Sequence, residues 1–83
     1  MERVNVYNLI DGERDYQDAQ AKQWNHKGTP SVEAEILLIE EYASKLRTAW
    51  ATTSGNEPLD IIRKIAGVST RCLENHGSDE NAR

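Results

Sequence analysis

The strongest apolar periodicity lies in the middle of the chain. Val32, Ile36, Ile39, Ala43, Leu46 and Trp50 recur at steps of four, three, four, three and four, the spacing of a bundle or coiled-coil seam. The pattern predicts a helix over 31–52. Thr29 or Ser31 is available as its N-cap, and Pro30 stands where an opening turn tolerates it. Glu33 and Glu35 near the start and Lys45 and Arg47 near the end suit the helix dipole. Leu37, Leu38 and Tyr42 fall off the seam and widen the apolar face beyond what one partner helix covers.

A second helical pattern runs over 57–76 and carries two stripes. One is Leu59, Ile62, Ala66, Ser69 and Leu73; the other is Ile61, Ile65, Val68 and Cys72. Two stripes imply two packing surfaces. A helical hairpin uses one, and a neighbouring copy of the chain is the natural user of the other. The segment Thr52-Thr53-Ser54-Gly55-Asn56 reads as the hairpin turn, with Asn56 or Ser54 as cap and Pro58 in the first turn; Gly77 closes the helix. Before the hairpin, 6–24 forms a more polar helix with Gly12 inside it, which predicts a break or fray near Asp11–Gly12. The loop Asn25-His26-Lys27-Gly28 follows, and 78–83 reads as a disordered polar tail. No strand or internal repeat is visible. The expected fold is all-α: a short N-terminal helix plus an antiparallel helical hairpin, in one domain over 1–77, assembled as a homo-oligomer.

Composition narrows the field. A domain of 83 residues is marginal without staples or partners. Cys72 is the only cysteine, so there is no intrachain disulfide and no cysteine-based zinc site; a buried, inert thiol is its ordinary reading. Oligomerisation is the remaining aid. No apolar run reaches the ~20 residues of a membrane span, and the opening MERVNVYN lacks a signal-peptide pattern, which predicts a cytosolic protein without a membrane partner. The net charge of −4 argues against duplex nucleic acid as a partner. It leaves room for a small anionic ligand.

Gly67 is the position that asks for an explanation. A mid-helix glycine costs roughly 1 kcal/mol relative to alanine, so something comes close to the backbone there. Tight helix packing is one reading. The other is a phosphate-bearing ligand on an open backbone bordered by Ala66, Ser69 and Thr70, with Arg63, Lys64 and Arg71 as anion donors. A metal-dependent, MazG-like nucleotide pyrophosphohydrolase needs carboxylates one turn apart on two helices. Glu57 and Asp60 have that spacing, but Glu33, Glu35, Glu40 and Glu41 supply no matching pair. His26 and His76 sit in a loop and at a helix end, and no nucleophilic triad is legible. The chain is therefore expected to be no enzyme and to need no cofactor. Along the first helix, Tyr7, Asn8, Asp11 and Lys22 supply a flat ring, an amide, a carboxylate and a cation, the groups a nucleotide needs.

The acidic block Asp11-Gly12-Glu13-Arg14-Asp15-Tyr16-Gln17-Asp18, the seamed middle helix, and Ile62-Arg63-Lys64-Ile65-Ala66-Gly67 running to Cys72-Leu73-Glu74-Asn75-His76-Gly77 resemble a family of short phage proteins. Among them are the anti-CBASS sponges, which sequester the cyclic oligonucleotide messengers of bacterial antiviral immunity. The resemblance covers about 6–77. It implies a compact helical homo-hexamer in the cytoplasm of the infected host, binding cyclic dinucleotides and cyclic trinucleotides at separate subunit interfaces without cleaving them. It also implies that Tyr7 and Lys22, with Asn8 and Asp11, serve the dinucleotide, and that Arg63, Ala66 and Gly67, with Thr70, serve the trinucleotide. The short polar end departs from the family pattern. The competing expectation is a helical oligomer with a regulatory or structural role and a protein partner, and the MazG-like metal-dependent hydrolase stands third.

Overall fold

The computed structural model describes residues 1–23, 28–52 and 55–77. Trp24, Asn25, His26 and Lys27, the turn residues Thr53 and Ser54, and the tail 78–83 lie outside the described residues. Three helices make up the fold: α1 (Arg3–Gln23), α2 (Val32–Thr52) and α3 (Glu57–His76). No strand occurs among the described residues. The all-α class follows directly.

Local chemistry sets the helix ends. The Ala34 N–H donates to Ser31 Oγ at 3.1 Å, so Ser31 is the α2 cap and Pro30 stands just outside the helix. Pro58 occupies the first turn of α3, where a missing N–H is harmless. The Asn56 side chain makes no cap hydrogen bond there. At the other end, the Gly77 N–H donates to the Leu73 carbonyl at 2.9 Å. The predicted break at Gly12 does not occur: α1 is one uninterrupted helix of 21 residues, as long as α2, and not the short element expected. Contacts on the C-terminal side of the glycine, through Glu13, Arg14 and Gln17, hold the helix to α3 and outweigh the glycine's weak propensity.

α3 packs against both other helices, whereas α1 and α2 do not pack on each other. The buried hydrophobic residues are few: Ala49, Ile61 and Val68, with Val68 only 2 % exposed. On α3 the stripe containing Ile61 and Val68 turns inward, with Ile65 and Cys72 half-buried beside them. The other stripe stays outside, Leu59 at 65 % and Leu73 at 67 % exposure, with Ile62 also exposed. Two packing surfaces on α3 were expected, and one of them is unoccupied within the chain.

The α2 seam is placed differently from the prediction. Val32, Ile36 and Trp50 are exposed, Trp50 at 79 %. The inward face runs instead through Glu35 and Ala49, with Leu38 and Tyr42 half-buried alongside Ile39 and Leu46 of the predicted seam. The physical reason is ionic. Glu35, 2 % exposed, accepts hydrogen bonds from Arg71 Nε and Nη2, both at 2.6 Å. This bidentate pair turns the start of α2 toward the end of α3. His76 Nε2 reinforces it by donating to the Pro30 carbonyl at 2.8 Å.

Breaking such a pair from one side strands a charge in a dry site. Arg71→Ala is expected to lower the unfolding free energy by about 3–5 kcal/mol, read from urea denaturation. The double replacement Glu35→Leu with Arg71→Met should recover most of that loss.

Candidate functional site

α1 displays the first candidate set. Tyr7, Asn8, Asp11 and Lys22 are all exposed, and none of their side chains makes a hydrogen bond or ion pair with the described residues. By helical register they fall within roughly 100° of the circumference, with Tyr7 and Lys22 ~22 Å apart along the axis. One chain thus carries the ring, amide and carboxylate at one end of a helix face and the cation at the other.

α3 carries the second set. Arg63, Ala66 and Thr70 fall on one side of the helix at i, i+3 and i+7. Ala66, itself half-buried, lies on the same stripe as the exposed Leu59, Ile62 and Leu73. The Thr70 hydroxyl donates to the Ala66 carbonyl at 2.8 Å. Gly67 lies on the opposite flank of Arg63 and is buried under α1. A Cβ there would stand 2.6 Å from Gln17 Nε2 and 2.7 Å from Glu13 Cγ. Side chains of α1 fill the space that an open-backbone reading reserves for a ligand, so in the folded chain close helix packing accounts for this glycine.

Three arginines lie between the helices, and they are engaged very differently. Arg14 grips Glu74 in a bidentate pair (Nε–Oε1 3.0 Å, Nη2–Oε2 2.9 Å) and also reaches Gln17 Oε1 at 3.0 Å and Asp18 Oδ1 at 3.1 Å. Arg71, considered above as an anion donor, is occupied by Glu35. Hydrogen bonding to their carboxylates raises the pKa of both guanidiniums. Arg63 is held more loosely. Its Nε lies 3.3 Å from Glu13 Oε1, its Nη1 lies 3.5 Å from Asp60 Oδ1, and its side chain is 35 % exposed. Arg63 is the interhelical arginine with donors to spare.

Between α1 and α2, over the surface of α3, lies a cleft of about 590 Å³. Its size falls in the range of small-molecule pockets. Arg14 and Arg71 line it but are already neutralised by Glu74 and Glu35. Lys64 is the cation on the α3 floor without an ion pair to any described residue. Glu57 and Asp60 do not join a metal site: among the described residues no group of three or more His, Cys, Asp or Glu side chains could hold a metal ion. No described helix is long and apolar enough to cross a membrane.

Sequence reasoning missed Glu74, Glu35 and Glu13 as interhelical partners of the arginines. No local signal marks them, because each partner lies 36 to 60 residues away in the chain. No family model, curated protein or solved structure matches the chain.

The Arg14 clamp makes α1 docking depend on acid. Its hydrogen bonds hold the Glu74 carboxyl below the ordinary carboxylate range. A carboxyl depressed in the folded state stabilises the fold above its unfolded pKa, and that contribution disappears as pH falls through the lowered value. Glu74→Gln should therefore lower the urea midpoint at neutral pH, and the gap to the parent chain should close in acid. A gap that is constant with pH would contradict the assignment.

Proposed function

We propose that copies of this chain assemble and sequester cyclic di- and trinucleotide messengers without cleaving them, as phage sponges of bacterial antiviral immunity do. The observation that carries the reading is the state of Arg63. It is the loosely held arginine among three, and it stands beside Ala66 and Thr70 at the margin of an apolar stripe that the chain itself leaves uncovered. Gathering copies on Leu59, Ile62, Ala66 and Leu73 brings several Arg63 side chains to one seam. Like charges gathered there favour a ligand with several phosphates, and the ligand in turn stabilises the assembly.

The resemblance described above supplies the hexamer, the hairpin arrangement of α2 and α3 within each subunit, and the division into two ligand sites. Tyr7, Asn8, Asp11 and Lys22 serve the dinucleotide; Arg63, Ala66 and Thr70 serve the trinucleotide. Gly67 supports the second site from behind by letting α1 approach Arg63. The uncovered stripe also favours a second reading, a helical oligomer that docks a protein partner. In that case assembly occurs but the cyclic nucleotides are ignored.

Calorimetry against a panel of cyclic di- and trinucleotides decides between them. Arg63→Ala should weaken trinucleotide binding by at least about 100-fold, roughly 2.7 kcal/mol, while sparing dinucleotide binding. Tyr7→Ala and Lys22→Ala should do the reverse. Equal loss of both ligands in any one variant would show that the sites are merged or misplaced. Intact cyclic nucleotide recovered from the denatured complex supports sequestration, whereas linear products would establish hydrolysis. Light scattering should give a mass above that of a dimer.

A further inference from the structure

Glu13 is a buried carboxylate with an unusual set of partners. It is 8 % exposed, yet its hydrogen bonds are long: 3.3 Å from Arg63 Nε and 3.4 Å from Gln17 Nε2. The side chain is pinned in place from below, because its Cγ fills the position that a Cβ on Gly67 would need. A fixed acceptor therefore faces the inner edge of the Arg63 guanidinium. Asp60, one turn earlier on α3, borders Nη1 at 3.5 Å. Nη2 makes no hydrogen bond or ion pair with the described residues.

We infer that Glu13 is the positioning residue for Arg63: it holds Nε so that the outer edge of the guanidinium is aimed at a phosphate before the ligand arrives. This inference rests on the trinucleotide reading of Arg63 proposed above. The chemistry follows from the shape of arginine. The planar guanidinium presents two edges, and holding one edge with a carboxylate leaves the other for bidentate contact with a phosphate. An unrestrained arginine loses rotamer freedom on binding, and a guanidinium already anchored at Nε loses less. The anchor also reduces repulsion between Arg63 side chains gathered at one seam. Gly67 belongs to the same device, since any larger residue there displaces Glu13 from beneath the arginine.

The test compares the full-length parent chain with Glu13→Ala, Glu13→Gln and Gln17→Ala by calorimetry against cyclic trinucleotides of adenosine and guanosine, with a cyclic dinucleotide in parallel. Glutamine keeps an acceptor for Nε, so Glu13→Ala should weaken trinucleotide binding about tenfold or more, and Glu13→Gln should restore most of it. Dinucleotide affinity should stay constant throughout. In ligand-free protein, the Arg63 Nε–H resonance should be protected from exchange in the parent and in Glu13→Gln, and unprotected in Glu13→Ala. Gln17→Ala disturbs the same α1 contact without touching Arg63, so a loss equal to that of Glu13→Ala would assign the effect to helix docking and overturn the inference. Glu13→Ala binding as tightly as the parent, or more tightly, would overturn it too, by marking Glu13 as a competitor of the phosphate. A parent chain that binds no cyclic trinucleotide would defeat the functional reading itself, and this inference with it.

Discussion

Charge pairing across α3 is the interaction on which the rest of this structure depends. Among the described residues the buried hydrophobic set of Ala49, Ile61 and Val68 is too small to fix three helices of about 20 residues each. The orientation of α2 comes from Glu35 on Arg71, and that of α1 from Arg14 on Glu74 with Glu13 on Arg63. Both bidentate partners belong to the last turns of α3. The most buried of them, Glu35 with Arg71, adds little net stability compared with an apolar replacement, but losing one partner strands the other's charge. They specify geometry where greasy packing cannot.

Using charge to hold the helices has a second effect: much of the hydrophobic surface is left over. The exposed stripe on α3 and the exposed Val32, Ile36 and Trp50 on α2 give a lone chain large unpartnered faces. Assembly through these faces is consistent with the proposed function, in which ligand pockets lie where copies meet. In that proposal Arg63 stands at the border between the apolar stripe and an open polar edge.

Much of the backbone was legible in the sequence, because helix periodicity and capping are local. Ser31 caps α2 as its residue type and position suggest, and Ile61 and Val68 turn inward together as one stripe of α3 should. The rotation of α2 was not legible. Hydrophobic periodicity assumes that buried means apolar, and the most buried position of that helix is a glutamate. The continuity of α1 across Gly12 was hidden for a related reason, since its anchors are polar side chains reaching to a helix some 50 to 60 residues away. Gly67 was recognised as a place of close approach, but only the coordinates identify Gln17 and Glu13 as what approaches. The candidate ligand residues were legible by type alone; which arginine stays available depends on contacts between distant segments.

The hub arrangement also bears on how the chain comes to be folded. Since α1 and α2 have no contact with one another, neither has anything to pack on while α3 is still inside the ribosome. Isolated helices of this length are only marginally stable in water, so the first two must wait as fluctuating segments until the third emerges. Stable packing of either helix is thereby postponed until the hub has been synthesised.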